Sequence, residues 1–521
     1  MKHILKYPKR LFPIILFCSM VLPGIFPSKT NAQAIQVYMD STAQAISGFG
    51  AANIVYWRPD MTDSEINEAF GTGDGQLGFS ILRLRIPPNK NDWSAYVPTA
   101  KKAYDMGVTI FASPWSPPAS MKSNNSTTAG SLKVASYGDY AAHLKAFVDY
   151  MANNGVPLYA VSVQNEPDIS VSYESCDWTP DQMLQFVKDY GDSVGTRLMA
   201  PESFQFRHVM SDPILNDSTA TAHLDIVGGH IYGGGLAPYP LAEEKGKEVW
   251  MTEHYTESQH SGDDWPLALA VATEMQNVMK ADMSAYVWWY IVRYYGPIGD
   301  GEKGTTAGEI TKRGYIMSQF ARFIRPGYVR VHTSGPQGFD YRDISVTAYK
   351  DSSDKVVIVA DNSGSSSKDV TFTLGDGVSG TFHPYVTSAT KNAELGNDIA
   401  ASGNGFSATL PKESITTFVS DQLTTGTEKN VRPPQSYKLL QNYPNPFNPT
   451  TTIRYQLPAA AHVTLKVFDV LGREVATLVD RRVSAGGHQV HFDASKLSSG
   501  VYLYQIKAAD FVQIRKMTLI K

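Results

Sequence analysis

Cysteine is nearly absent: Cys18 and Cys176 are the two thiols, and Cys18 lies in an N-terminal stretch expected to be removed. No disulfide within the mature chain is expected, so stability has to come from buried apolar surface. Cys176 has no His-bearing motif beside it to activate the thiol, which argues against a cysteine nucleophile. Beyond the N-terminus, no apolar run approaches the roughly 20 residues of a membrane span, and no transmembrane segment is expected. An excess of one charge is missing as well. Lys+Arg 46 against Asp+Glu 50 gives a net charge of -4, with no basic field for nucleic acid and no polybasic patch for a membrane surface. No His/Cys or acidic-loop cluster has metal-ligand spacing, so neither a metal nor another cofactor is expected. These absences leave a neutral or locally charged small partner for a soluble, monomeric chain.

At 521 residues with 42% hydrophobic side chains, the chain is long enough for two to four domains. Residues 1–32 have the layout of a secretory signal peptide. Lys2, Lys6, Lys9 and Arg10 precede an apolar stretch from Leu11 to Phe26, and small residues follow around Ala32. Between Gly48 and Arg325, strand-like runs recur at Gly48–Val55, Phe79–Ile86, Val108–Ser113, Leu158–Val163, Arg197–Ala200, Leu224–Gly229, Glu248–Met251 and Ala285–Ile291. Helical stretches such as Tyr137–Asn153, Asp181–Gly195 and Trp265–Met279 separate them. Eight such units predict an α/β fold, a (β/α)8 TIM barrel over residues 48–325, although an open doubly wound sheet gives the same alternation. Residues 326–421 turn to short alternating strands, a β-sandwich side domain. A polar linker over 422–437 precedes a small C-terminal all-β sandwich over 438–521.

Two glutamates each close an apolar run: Glu166 in Val161-Ser-Val-Gln-Asn-Glu-Pro167 and Glu253 in Val249-Trp-Met-Thr-Glu-His-Tyr255. An ionised group at the end of a core strand is costly unless it is paired or needed. Glycoside cleavage needs such a pair: one acid protonates the leaving oxygen while the other carboxylate attacks the sugar or activates water. A separation of about 5 Å implies retention of configuration, and about 6.5–9.5 Å implies inversion. The plainer reading of each, a loop cap or an ion-pair partner, loses ground to their surroundings. Asn165 is placed to donate to a sugar hydroxyl, Pro167 stops a helix, and aromatics gather at the same strand ends: Trp115, Tyr232, Tyr255, Trp288, Trp289 and Tyr290. Sugar C–H faces stack on such rings. Trp288 and Trp289 are adjacent on a strand and cannot both face the mouth. Arg83 and Arg85 share a strand face. Arg85, nearer the strand's end, is expected to pair with Glu253, while Arg83 fits the barrel floor.

The set Gly48-Phe-Gly50, Ser113-Pro-Trp-Ser-Pro-Pro-Ala-Ser-Met121, Gln164-Asn-Glu-Pro167, Trp250-Met-Thr-Glu-His-Tyr255, Tyr286-Val-Trp-Trp-Tyr290 and Lys312-Arg-Gly-Tyr315 resembles glycoside hydrolase family 30, in particular its bacterial glucuronoxylanase branch. The resemblance implies a retaining endo-β-1,4-xylanase with Glu166 as acid/base and Glu253 as nucleophile, and an N-terminal segment, 33–47, that pairs with the side domain. It further implies that Arg293, Tyr295, Ser258 and Tyr255 hold the carboxylate of a 4-O-methylglucuronic acid branch on a glucuronoxylan polysaccharide, a guanidinium being suited to bidentate carboxylate binding. Relatives often carry two consecutive arginines where this chain has Val292 and Arg293. The alternatives are a hydrolase of the same fold for another β-glycan (xylan without branch dependence, galactan or a glucoside), or a non-catalytic carbohydrate-binding protein. The last unit resembles the C-terminal sorting domain of type IX secretion through Asn442-Tyr-Pro-Asn-Pro-Phe-Asn-Pro449, Val467-Phe-Asp-Val-Leu-Gly472, Gly500-Val-Tyr-Leu-Tyr504 and Lys516-Met-Thr-Leu-Ile-Lys521. It implies the type IX secretion machinery as partner and passage through periplasm and outer membrane to a secreted or cell-surface location; an appended carbohydrate-binding sandwich is the other reading.

Overall fold

The computed structural model describes residues 33–520 apart from Tyr56, Glu257, 336–340, 426–435, 443–444 and 484–485. The expected signal peptide and most of the expected linker lie outside the described residues. Strand β1 (Gln33–Ala45) is followed by the eight strands of a closed parallel barrel. They are β2 (Gly48–Ala52), β3 (Ile81–Arg85), β4 (Thr109–Ser113), β5 (Ala160–Ser162), β6 (Arg197–Ser203), β7 (Ile226–His230), β8 (Glu248–His254) and β9 (Ala285–Tyr290). Closure excludes the open doubly wound alternative. No helix among the described residues is long and apolar enough to cross a membrane.

The barrel strands are buried on both faces, and this explains their continuous apolar sequence. Outward residues such as Leu82, Leu84, Ile110, Val161, Leu198, Val227, Met251 and Trp288 pack under the surrounding helices. Inward residues Ile81, Phe111, Ala160, Met199, Ile226, Trp250, Ala285 and Val287 form a separate plug filling the cylinder. Several helix starts are written in the sequence: Thr62 and Thr179 each form a reciprocal capping box, with Glu65 and Gln182 respectively.

The side domain is an 11-stranded sheet folded over its own core. Strand β1 joins it, pairing antiparallel with Val329–Thr333 and parallel with Lys368–Thr373. The opposite face docks on the barrel helices. Gln276 donates to the Val359 carbonyl at 2.9 Å, and Thr417 donates to the Gln319 carbonyl at 2.7 Å. The C-terminal unit has a three-stranded and a four-stranded sheet around an apolar core that includes Leu439, Phe447, Ile453, Leu465 and Tyr504.

Ile35 and Val37 of β1 are fully buried in the side-domain core. Truncating both to alanine is expected to destabilise that domain by about 4 kcal/mol or more, from lost transfer energy and the cavities left behind. Calorimetric unfolding checks this, and an unshifted transition would show that β1 contributes no core.

Candidate active site

Two residues beyond the apolar plug, the inward positions turn polar, as the period of a strand requires. Arg83 follows Ile81, Ser113 follows Phe111 and Ser162 follows Ala160. Two acids break this parity. Glu202 is three residues beyond inward-facing Met199, and Glu253 is three beyond Trp250, so strict alternation would send both outward. The pairing shows an extra residue in each strand: Pro201 and Ser203 face consecutive Gly228 and Gly229, and Met251 and Glu253 face consecutive Gly229 and His230. A bulge re-aims a side chain in this way. Gly228 gives inward Glu202 room, since a Cβ there would lie 2.8 Å from the Met199 sulfur and 3.1 Å from Glu202 Cγ; Gly229 makes room on the other face, where a Cβ would lie 2.4 Å from the Phe206 ring.

Glu166 lies in the loop after β5. It and Glu202 are both left-handed, at φ 47° and 54°, a conformation that costs about 1–3 kcal/mol in a non-glycine residue unless the surroundings enforce it. A hydrogen bond from the Glu166 amide to the Glu202 carbonyl, 3.0 Å, ties the two turns together. One carboxylate oxygen of Glu166, one of Glu253 and a ring nitrogen of His230 all lie within 4.8 Å of one another. The two acids expected to act together therefore meet across one narrow gap.

Arg83, fully buried, holds this arrangement. Its guanidinium donates to Glu253 Oε2, to Asn165 Oδ1 at 2.6 Å and to Glu202 Oε1 at 3.2 Å. Burial alone would depress the guanidinium pKa, but the carboxylates of Glu202 and Glu253 outweigh it and hold it above the ordinary value. Tyr232 donates its hydroxyl to the other Glu253 oxygen at 2.8 Å. Burial, then the Glu253 charge, keeps that phenol well above its ordinary pKa, so it stays a donor. On Glu166, Tyr173 donates to Oε2 at 3.2 Å and His230 Nδ1 lies 2.9 Å from Oε1.

Burial lowers the His230 pKa, but Glu253, Glu166 and Glu202 more than offset this and raise it to about 9. For Glu202 the balance runs the other way: burial raises its pKa, while Arg83 and His230 bring it down to about 2. At neutral pH His230 is therefore an imidazolium and Glu202 a carboxylate. Glu166, His230 and Glu253 each offer one ligand atom within 4.8 Å of the others, near enough to surround an ion.

The carboxylates open into a cleft of about 510 Å³ lined by Trp57, Trp115, Tyr173, Phe204, Tyr232, Tyr255 and Trp289. Trp115 packs edge-on to Trp57 at 5.4 Å and tilted against Trp289 at 5.6 Å. Trp288 faces away, fully buried in the outer core. Tyr255 stacks on Tyr295 at 5.2 Å. The Arg293 guanidinium lies 4.3 Å from the Tyr294 ring and 5.9 Å from that of Tyr295. Tyr294 donates to the Ser258 carbonyl at 2.7 Å, drawing the loop after β8 into the same group.

Arg85 departs from expectation. It is bound to Glu174, not Glu253, and lies over Trp57; Arg83 takes the pairing expected of it. The physical reason is depth: Glu253 sits level with the pleat that carries Arg83, and the next inward residue toward the mouth already meets the loop that carries Tyr173 and Glu174. The sequence reading also passed over His230, Glu202, Trp57, Tyr173 and Phe204. Glu202 carries the same signal that singled out Glu166 and Glu253, an acid ending an apolar strand. The loop aromatics carry none. Cys176 is buried, and burial pushes its thiol up to about 12, which removes it as a nucleophile.

Comparison with known proteins gives the same outline. Residues 64–235 match the glycosyl hydrolase family 30 TIM-barrel domain, and residues 327–418 match the glycosyl hydrolase family 30 beta sandwich domain. Residues 441–521 match the secretion system C-terminal sorting domain. The chain is 43% identical over 427 residues to glucuronoxylanase XynC of Bacillus subtilis, covering 79% of this chain and 98% of that protein. Among solved structures, a glycoside hydrolase family 30 subfamily 8 xylanase, Xyn30A from Clostridium acetobutylicum, superposes with a TM-score of 0.68 at 39% identity, over 74% of this chain and 99% of that one. A GH30 endoxylanase from Clostridium papyrosolvens C71 superposes at 0.67 and 40% identity, over 74% and 100%.

The His230 and Glu202 shifts predict a stability profile. His230, raised from 6.5 to about 9, contributes stability that is fully present below pH 6.5 and lost as pH rises through 9. Glu202, lowered from 4.5 to about 2, contributes stability present above pH 4.5 and lost as pH falls through 2. Between pH 6.5 and 9.5 the wild type is expected to lose on the order of 3 kcal/mol that a His230→Gln variant does not lose. Denaturant unfolding at the two pH values measures this; equal losses in both proteins would mean that His230 is not charged in the folded state.

Proposed function

The chain belongs to glycoside hydrolase family 30, and from that premise we propose that it is a retaining endo-β-1,4-xylanase that cuts glucuronoxylan at positions set by 4-O-methylglucuronic acid branches. The approach of one carboxylate oxygen of Glu166 to within 4.8 Å of one of Glu253 supports the mechanistic half, since an inverting pair has to leave room for a water molecule between the acid and its base. Likeness to a glucuronoxylanase and to two clostridial xylanases supports the choice of xylan. The protein carries a C-terminal secretion sorting domain and is exported, which suits an enzyme whose polymeric substrate lies outside the cell.

In the proposed reaction a xylan chain lies across the aromatic cleft, its sugar faces against Trp115 and Trp289. Glu253, fixed by Arg83 and Tyr232, attacks the anomeric carbon while Glu166 gives its proton to the departing glycosidic oxygen. The carboxylate that Glu166 becomes is met at once by the His230 N–H and the Tyr173 hydroxyl, donors aimed beforehand at the charge that develops. Glu166 then takes a proton from water, and the resulting hydroxide equivalent releases the sugar from Glu253. Arg293, Tyr295, Tyr255 and Ser258 receive the uronic acid branch; they cluster beside the cleft wall, and Arg293 supplies the cation a carboxylate requires.

Glu166→Gln and Glu253→Gln are each expected to lower kcat/KM on glucuronoxylan about 10³-fold or more, since each removes one partner of a two-step exchange. Full residual activity in Glu253→Gln would discard the pair. Arg293→Ala is expected to depress cleavage of glucuronoxylan far more than that of unbranched xylo-oligosaccharides. Mass spectrometry of wild-type products reads the same question directly: one uronic acid at a fixed place in each fragment supports branch control, and random placement removes it.

A further inference from the structure

Arg293 is not an unoccupied cation. Two carboxylate oxygens sit on its Nη1 atom, Asp300 Oδ2 at 2.7 Å and Glu302 Oε2 at 2.9 Å. Arg58, from the loop after β2, shares the first of these at 2.8 Å and reaches the second acid at 4.0 Å. Two guanidinium and two carboxylate groups therefore balance one another, with the Lys303 ammonium, 4.6 Å from the Tyr294 ring, as a further cation beside them. Val292, where relatives often have a second arginine, lines a small cavity of about 210 Å³ together with Arg58 and Asp300.

The two acids are held differently. The Asp300 side chain is 4% exposed and bridges both arginines, whereas that of Glu302 is 54% exposed and meets Arg293 from the solvent side. A buried carboxylate shared by two cations does not leave without uncovering both, while an exposed ion pair is weak and exchanges readily with another anion. We propose that Glu302 is a displaceable counter-ion which occupies, on Arg293, the place of a branch carboxylate, so that uronate-bearing xylan binds by exchanging one carboxylate for another. Rejection of Glu302 into solvent leaves Arg58, Arg293 and Asp300 with a single positive charge, matching one uronate. When a chain without a uronic acid enters, Glu302 stays in place and Arg293 keeps both of its carboxylate partners, so unbranched xylan is still cleaved, less readily than branched. Preference for the branch is thereby graded by an acid on the enzyme's own loop. This inference rests on the uronate assignment of Arg293 made above.

The test compares kcat/KM on a xylo-oligosaccharide carrying one 4-O-methylglucuronic acid with kcat/KM on the unbranched oligosaccharide of equal length, for wild type, Glu302→Gln, Glu302→Ala and Arg293→Ala. Both Glu302 variants are expected to raise the branched-to-unbranched ratio about fivefold, through a lower KM for the branched substrate, the factor that accompanies loss of one competing exposed ion pair. Arg293→Ala is expected to collapse the ratio. If Arg293→Ala collapses it but the Glu302 variants leave it at the wild-type value, the branch site stands and the counter-ion proposal is overturned. Should Arg293→Ala leave the ratio unchanged, the uronate assignment itself fails and the proposal falls with it.

Discussion

One buried guanidinium organises the mouth of the barrel. Arg83 donates to Glu253, Glu202 and Asn165 at once. A cation with no exposure is affordable only because several acceptors surround it, and removing one partner of such a set costs about 3–5 kcal/mol. The constraint runs both ways: the carboxylates cannot drift apart without uncovering the arginine. His230 repeats the device on the opposite side, lying between Glu166 and Glu202. The result is a row in which Arg83 and His230 each stand between two acids, with the spacing set by packing, and the cleft inherits that fixed geometry.

Much of this was legible in the sequence. Eight apolar runs divided by helical stretches indicated the barrel, because strands buried on both faces leave continuous rather than alternating apolar sequence. Glu166 and Glu253 were visible as acids that an apolar strand would not otherwise end on. The assignment of Arg85 to Glu253 went astray because strand parity gives the face of a side chain and not its depth. Glu202 and Glu253 point inward only through extra residues in β6 and β8, and a bulge leaves no mark on the residue types beside it. Trp57, Tyr173 and Phe204 come from loops, which have no period to read; their convergence on one cleft is a property of the closed barrel.

The side domain and the cleft wall show the same economy of charge. Between barrel and side sheet, Gln276 and Thr417 donate to main-chain carbonyls, while Thr273 with Asp361 and Gln319 with Thr387 pair side chain to side chain. On the cleft rim, Arg58, Asp300, Arg293 and Glu302 pair with one another. Under the proposed counter-ion role of Glu302, substrate charge competes with charges already paired, and selectivity is a matter of exchange rather than of an empty socket.

Double displacement at Glu253 requires that the sugar keep its configuration. Proton NMR of the reducing ends released in the first minutes of hydrolysis reads this before mutarotation blurs it. Early appearance of the β-anomer is the result expected of two carboxyl groups that bring one oxygen of each within 4.8 Å of the other. Early appearance of the α-anomer would mean direct attack by water and would contradict the roles given to Glu166 and Glu253.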